Sequence, residues 1–300
     1  MESDRQYGEN HDGRMSGFQS LPVAKSLRRS AQKLFPALDF FAGSGLVSAG
    51  LQRHFEVIWA NDISEAKAEV FRANHPGVQF HLGSIVELAG IDVPESCLSW
   101  ASFPCQDLSL AGNMVGLRQS RSGLVWEWLR VMDEMPKLTP LVVAENVVGL
   151  VSAAGGKYYL ELHQALQQRG YRVGAILLDA VHWLPQSRPR VFVIGVSREL
   201  PIEEFTATVP IWCHSESICR VARLTPNFVW WRLPEPRTVR PNLEKLLELD
   251  ARSHEKIIAK HNLSLIPPRH RHRLREAIAA GQKVFPDYKR TRAGKQVLEL

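Results

Sequence analysis

Cysteine is scarce in this chain. The four in 300 residues stand at Cys97, Cys105, Cys213 and Cys219, with no Cys-x-x-Cys pair among them. That is too few for a disulfide scaffold, so each must be judged singly, as core filler or as a reactive thiol. No run of 18 apolar residues occurs, which excludes a membrane-spanning helix. The first 14 residues are polar and lack the apolar stretch of a secretion signal. With the cysteine usage, this points to a reducing, cytoplasmic setting. No internal repeat and no low-complexity tract are present, so solenoid and fibrous architectures are excluded.

What remains has the composition of an ordinary soluble protein, 45% hydrophobic and 23% charged. A chain of 300 residues makes one large or two modest domains and buries enough surface to need no staples. Its net charge of +6 is uneven. From position 201 onward there are 18 Lys and Arg against 11 Asp and Glu, and before it 19 against 20. A neutral front and a basic back suggest a catalytic body with a polyanion-facing appendage, although a basic surface alone is a weak guide to partners.

Residues 1–33 read as a flexible leader rich in Gly, Ser and charge. From Leu34 to about residue 200, short apolar runs alternate with helical stretches. Strands are expected at 38–41, 57–60, 100–103, 141–144, 173–178 and 191–196. Helices are expected at 46–53, 64–74, 124–135 and 158–169. This alternation predicts an α/β fold with a doubly wound, mostly parallel sheet. The short connection between the last two runs predicts an antiparallel edge pair. After residue 200, six prolines between Pro201 and Pro241 break the pattern. Residues 201–300 therefore read as a separate basic region, with helices expected at 242–248 and 270–280.

Four strand ends carry chemistry. Asp39-Phe40-Phe41-Ala42-Gly43-Ser44-Gly45 puts glycines directly after a strand, where backbone can approach a ligand. Asp62 follows Phe41 by 21 positions, the place for an acid that takes ribose hydroxyls. Ser48 stands where a dinucleotide fingerprint needs its third glycine, so a nucleoside cofactor without a pyrophosphate, such as S-adenosylmethionine, fits better. Ser102-Phe103-Pro104-Cys105-Gln106 sets a thiol at the next strand end. A free thiol, with a pKa of about 8.5, is a nucleophile only with help from its site, and a buried structural cysteine is the plain alternative. Glu145-Asn146-Val147 offers a proton donor or a turn acid. Gln186-Ser187-Arg188-Pro189-Arg190 carries two arginines at i and i+2, able to present planar donors to a carbonyl or a phosphate, or to form a surface ion pair.

In order and spacing these motifs resemble those of the C5-cytosine DNA methyltransferase family, from about Leu38 to Val196. The resemblance implies a Rossmann-like, class I methyltransferase fold with S-adenosylmethionine as cofactor and double-stranded DNA as substrate. Phe41, Ala42, Gly43, Ser44 and Gly45 would form the cofactor loop and Asp62 would be the ribose acid. Ile63, Ser84, Ile85 and Pro104 would complete the cofactor pocket. Cys105 would add to cytosine C6, Glu145 would supply or share a proton at N3, and Arg190 would hold O2 with Arg188 lining the site. The base must be flipped from the duplex for any of this. The glycine- and arginine-bearing stretch from Asp107 to Gly123 is expected to close as a lid. An intracellular, nucleoid-associated location goes with this reading.

The chain departs from the family in two places. Gly83-Ser84-Ile85 stands where the family commonly has Gly-Asp, which removes a charge from the cofactor pocket. A final Gly-Asn-Ser-type segment is not found, and 288–300 resembles a segment that normally continues. The expectation is a cut chain or one piece of a split enzyme whose second polypeptide supplies the rest, with weak or no turnover from residues 1–300 alone. The string Arg269-His270-Arg271-His272-Arg273-Leu274-Arg275 suits phosphate contacts or a solvated helix face. Cys213, His214 and Cys219 lack a metal-site spacing, so no metal is expected. Two other readings stay open, an idle DNA- or partner-binding subunit and an RNA-acting member of the same family. The target sequence, and a protective or regulatory role, are not legible in the chain.

Overall fold

The computed structural model describes residues 34–104, 123–236, 261 and 263–281, together with the backbone of 288–292 and 295–299. Cys105, residues 107–122 of the lid expected from 107 to 123, the leader 1–33 and the expected helix at 242–248 lie outside these residues. Two compact units divide the chain, Met1–Val239 and Arg240–Leu300.

The first unit is built on a seven-stranded sheet of order β3-β2-β1-β4-β5-β7-β6. Its strands are β1 (Phe35–Phe40), β2 (Phe55–Asp62), β3 (Gln79–Leu82), β4 (Leu98–Ala101), β5 (Leu141–Asn146), β6 (Tyr171–Asp179) and β7 (Pro189–Ser197). Strands β1 to β5 pair in parallel, whereas β7 runs antiparallel to both β5 and β6. The mostly parallel sheet and its antiparallel edge are as expected. The helices are α1 (Leu46–Leu51), α2 (Glu65–Asn74), α3 (Leu124–Glu134), α4 (Gly149–Ser152), α5 (Lys157–Gln168) and α6 (Glu216–Arg223).

Central strands buried on both faces read as continuous apolar runs, and β1 ends in four consecutive buried residues. Leu38 and Phe40 point into one core with Trp128 and Leu129 of α3 and Tyr159, Leu162 and Leu166 of α5. Alternation sends Ala37 to the opposite face, where it meets Val57, Leu98 and Val143. The indole of Trp128 donates to Ser99 Oγ at 2.9 Å, which satisfies the one polar atom that α3 buries on the sheet with that ring.

Strand boundaries differ from the sequence reading: β1, β2 and β6 begin two or three residues earlier than expected, Phe41 falls outside β1, and three further differences bear on the site. Strand β3 was not expected, because Gln79-Phe80-His81-Leu82 is short and at most half-buried, so no apolar run marks it. Strand β4 covers 98–101 rather than 100–103, and its chain leaves the sheet before Pro104. Glu145, Asn146 and Arg190 lie within strands rather than beyond them. Pro189 is tolerated because it opens β7, where no ladder donor is yet required.

Residues 201–236 belong to the first unit. Cys213, Ile202 and Trp231 pack with Ile176 of β6, and the Trp231 indole donates to the Ile194 carbonyl at 3.2 Å. The close approach depends on Gly174, where a Cβ would meet the Val229 carbonyl oxygen. In the second unit, helix Pro268–Ala279 begins with proline in its first turn, and strands Tyr288–Arg292 and Lys295–Glu299 form an antiparallel hairpin. Among the described residues, no helix is long and apolar enough to cross a membrane.

Candidate active site

Register brings the motif-bearing strand ends to one level. Phe40 pairs with Asn61 of β2 and with Ala101 of β4, and Ala101 in turn with Ala144 of β5. Glu145 and Asn146 stand opposite Phe192 and Val191 of the reversed β7. The carboxyl ends of four strands and the amino end of β7 therefore share one edge. Strand order reverses between β1 and β4, the place where open α/β sheets bind ligands.

The loop after β1 is tightly wound. Phe41, Gly43 and Gly45 all have positive φ, at 58°, 59° and 89°. For a phenylalanine this conformation stores about 1–3 kcal/mol. Gly45 has a second reason to be glycine, since an added Cβ would lie 2.5 Å from the His75 ring. His75 Nε2 and the Gly45 carbonyl oxygen are 3.0 Å apart. Asp62 braces the loop from β2. Its Oδ2 accepts from the Gly43 amide and its Oδ1 from the Ser64 amide, each at 2.9 Å. Lys67 Nζ stands 4.0 Å from Oδ2. Behind the loop lies Asp39, fully buried, with Oδ2 accepting from Ser48 Oγ at 2.7 Å. Burial raises its pKa to about 7, against the pull of the Ser48 hydrogen bonds. Ser48, at the missing-glycine position, is thus the partner of a buried acid.

A cavity of about 210 Å³ opens beside this loop, and Phe41, Asp62, Ile63, Ser84, Ile85 and Pro104 line it. Ala42, Gly43, Ser44 and Gly45 do not line it. Ala42 is buried against Ala60 and Phe71, Gly43 supplies the amide to Asp62, and Ser44 is exposed. Asn61, Lys67, Gly83, Ser102 and Leu124 also line the cavity, and the sequence reading did not assign them to a cofactor pocket. Asn61 donates to the His81 and Gly83 carbonyls at 3.1 and 2.9 Å, which holds the turn bearing Ser84. Ser84 accepts from the Val86 amide at 3.3 Å and so caps the short helical turn over Ile85–Glu87.

That turn is gripped from α3. Arg130 Nη2 donates to the carbonyls of Ile85 and Leu88 at 3.0 Å and of Val86 at 3.4 Å. The guanidinium is held in turn by Glu127 at 2.7 Å and Glu134 at 2.6 Å. Glu134 Oε2 also accepts from the Gly90 amide at 2.8 Å.

At the end of β5, Glu145 Oε1 and Arg190 Nε of β7 meet at 3.0 Å, both side chains about one-fifth exposed. Arg190 Nη1 donates to the Pro189 carbonyl at 2.8 Å. Asn146 Nδ2 donates to the Phe103 carbonyl at 2.9 Å, tying the end of β5 to the segment that runs into Pro104. Arg188 is exposed, and its amide donates to Asp179 Oδ1 at 2.6 Å. Glu145 and Arg190 are therefore brought together, and among the described residues no ion pair joins the Arg188 side chain to them. Cys105 follows Pro104 directly in sequence and is outside the described residues. Among the described residues, no group of His, Cys, Asp and Glu is arranged to hold a metal ion.

The family model of the C-5 cytosine-specific DNA methylases matches residues 35–292. The chain belongs to that family. Within the family it resembles the type II methyltransferase M.FnuDI of Fusobacterium nucleatum, 31% identical over 177 residues, 58% of this chain and 50% of that protein. It is also similar to M.NgoFVII of Neisseria gonorrhoeae, 33% identical over 163 residues, 53% of this chain and 43% of that protein. The chain spans about half the length of the curated relatives it matches. A crystal structure of a Spodoptera frugiperda DNMT2 variant aligns with a TM-score of 0.52 at 19% identity, over 72% of this chain and 60% of that one. This likeness shows the doubly wound methyltransferase fold.

Proposed function

We infer that this chain carries the catalytic machinery of an enzyme that transfers a methyl group from S-adenosylmethionine to C5 of cytosine in DNA. The observation that supports it best is the meeting of Glu145 and Arg190 at 3.0 Å, on the sheet edge that also carries Pro104 and the Asp62 cavity. The cavity residues fit the cofactor. Asp62, 7% exposed with both oxygens already oriented by amides, would take the ribose hydroxyls. Ile63 and Ile85 would flank the adenine, and the Ser84 hydroxyl would meet its edge without a charge. Bound S-adenosylmethionine supplies an electrophilic methyl group.

The chain's own residues would act on the base. Cys105, as thiolate, adds to C6 of an extruded cytosine and makes C5 enamine-like. Charge arriving at N3 is met by a proton shared with Glu145, and Arg190 fixes both the carboxylate and the pyrimidine O2. Loss of the C5 proton after methyl transfer expels the cysteine sulfur and frees the enzyme. These roles rest on the family resemblance together with the convergence of the described residues.

DNA recognition, on this reading, belongs beyond residue 200, where the positive excess lies. The type II names of the relatives go with a modification role beside a restriction enzyme, and an intracellular setting at the DNA follows. A second polypeptide that supplies the family segment not found in this sequence is the partner on this reading, and Ile63 of the cavity lining, 73% exposed, is a side chain it would cover. The test is covalent capture on duplex DNA carrying 5-fluorocytosine, with S-adenosylmethionine. A denaturation-resistant adduct is expected with the native chain and none with Cys105→Ser. Failure of the native chain to form the adduct while it still binds cofactor would reduce it to a binding subunit.

A further inference from the structure

The turn between β6 and β7 carries a cluster of rings that the reaction does not use. Residues 180–188 are Ala-Val-His-Trp-Leu-Pro-Gln-Ser-Arg, without an acid. Trp183 is 48% exposed and Leu184 50% exposed, an unusual surface for a connecting turn, which is ordinarily polar. The turn sits at the site's end of the sheet, since Leu178 and Asp179 pair with Arg190 and Pro189.

The rings are braced. His182 meets Trp183 and Trp212 edge-on, with centroids 5.6 and 5.5 Å apart, and Trp183 meets Trp212 at 6.5 Å. Trp212 is itself anchored, its indole donating to the Leu233 carbonyl at 3.1 Å. The turn beneath is stapled by Asp179, which accepts from the Val181 and Arg188 amides and from Ser187 Oγ at 3.1, 2.6 and 2.8 Å. The Asp179 carboxylate is thus turned to these three donors of its own turn, and the Arg188 side chain is an exposed cation beside it.

We propose that Trp183 is a stacking platform for an unpaired base of the DNA strand next to the reacting cytosine, with Arg188 against the adjoining phosphate. This rests on the DNA reading above. A rigid ring loses little freedom on stacking, and any base offers it a π face. A cation beside the ring favours a nucleotide over an apolar protein side chain, because it meets the phosphate that the base carries with it. The surface is also continuous with the Glu145–Arg190 pair through β7, so a strand that presents its cytosine there runs past the turn.

The test uses the full chain with S-adenosylhomocysteine and random-sequence oligonucleotides, single-stranded and duplex, substituted with 5-iododeoxyuridine. Near-ultraviolet irradiation should crosslink the peptide bearing Trp183, identified by mass spectrometry. Trp183→Ala should weaken DNA binding by about tenfold, in line with the loss of one stacked base. Trp183→Phe should retain most of the affinity, and both variants should bind S-adenosylhomocysteine like the native chain. Arg188→Ala should lower the salt dependence of DNA binding by about one phosphate contact. Native-like DNA binding by Trp183→Ala, or crosslinks confined to other peptides, would overturn the assignment. So would a change in self-association in place of DNA affinity, which would mark a protein contact. A native chain that binds no DNA would instead bring down the DNA reading itself.

Discussion

Asn146 and Phe103, 43 positions apart in the chain, are joined by a hydrogen bond of 2.9 Å from an amide nitrogen to a backbone carbonyl. The same side chain accepts from the Val147 amide at 2.9 Å, so both ends of the amide are used. The segment entering Pro104 is thereby set relative to Glu145 by the residue next to it.

Asn146→Asp keeps the shape but removes the donor and turns a charged oxygen toward the Phe103 carbonyl. At a position only 3% exposed, the loss should be about 1–3 kcal/mol in urea unfolding. Adduct formation by Cys105 on 5-fluorocytosine DNA should slow more than cofactor binding weakens. Unfolding and trapping both like the native chain would show that the bond does not position the segment.

Arg130 holds three backbone carbonyls of the turn that brings Ile85 to the cavity. A lysine keeps the charge and lacks the planar fork. Arg130→Lys should therefore weaken S-adenosylhomocysteine binding by about tenfold in calorimetry, a loss worth about 1.4 kcal/mol. The exposed Lys137–Glu95 pair provides the contrast. Lys137→Ala should leave that affinity unchanged and alter stability by less than about 1 kcal/mol. Equal behaviour of the two variants would mean that the clamp does not support the cavity.

Asp39 ionises with difficulty because it is buried, and its pKa rises from 3.8 to about 7. The folded state thus favours the protonated form. Its contribution to stability is full below about pH 3.8 and is lost as pH climbs through about 7. At about 1.4 kcal/mol per pH unit the total is on the order of 4 kcal/mol. Asp39→Asn removes this titration. Its unfolding free energy, relative to the native chain, should rise between pH 5 and pH 8. A difference that stays flat across that interval would mean that the acid is not held neutral.

Much of the fold is legible in the chain, and the reasons are local. Strands β1, β2 and β5 announce themselves as apolar runs because their neighbours bury both faces. The nine residues between β6 and β7 are too few for a parallel crossover, which requires an antiparallel pair. Strand β3 escapes because its side chains are at most half-buried. Of the cavity lining, Phe41 and Asp62 are readable from the glycine loop and its spacing, and Ile63, Ser84, Ile85 and Pro104 only through the family resemblance. Asn61, Lys67 and Leu124 are not, since an amide, a lysine and a leucine carry no distinctive signal. Asn61 shows itself only as the immediate neighbour of Asp62. The pairing of Glu145 with Arg190 depends on cross-strand register, which is a property of the assembled sheet rather than of either segment.

The direction of β7 has an evolutionary corollary. Its guanidinium arrives from a tight turn, whereas Glu145, the Asp62 carboxylate and the proline segment are each delivered by a strand entered from a longer excursion. Lengthening or shortening those excursions leaves the reach of their groups intact. One residue gained or lost in 180–188 would displace the arginine and the tryptophan ledge relative to each other. Diversity among descendants of this chain should therefore accumulate in the crossovers and spare that turn.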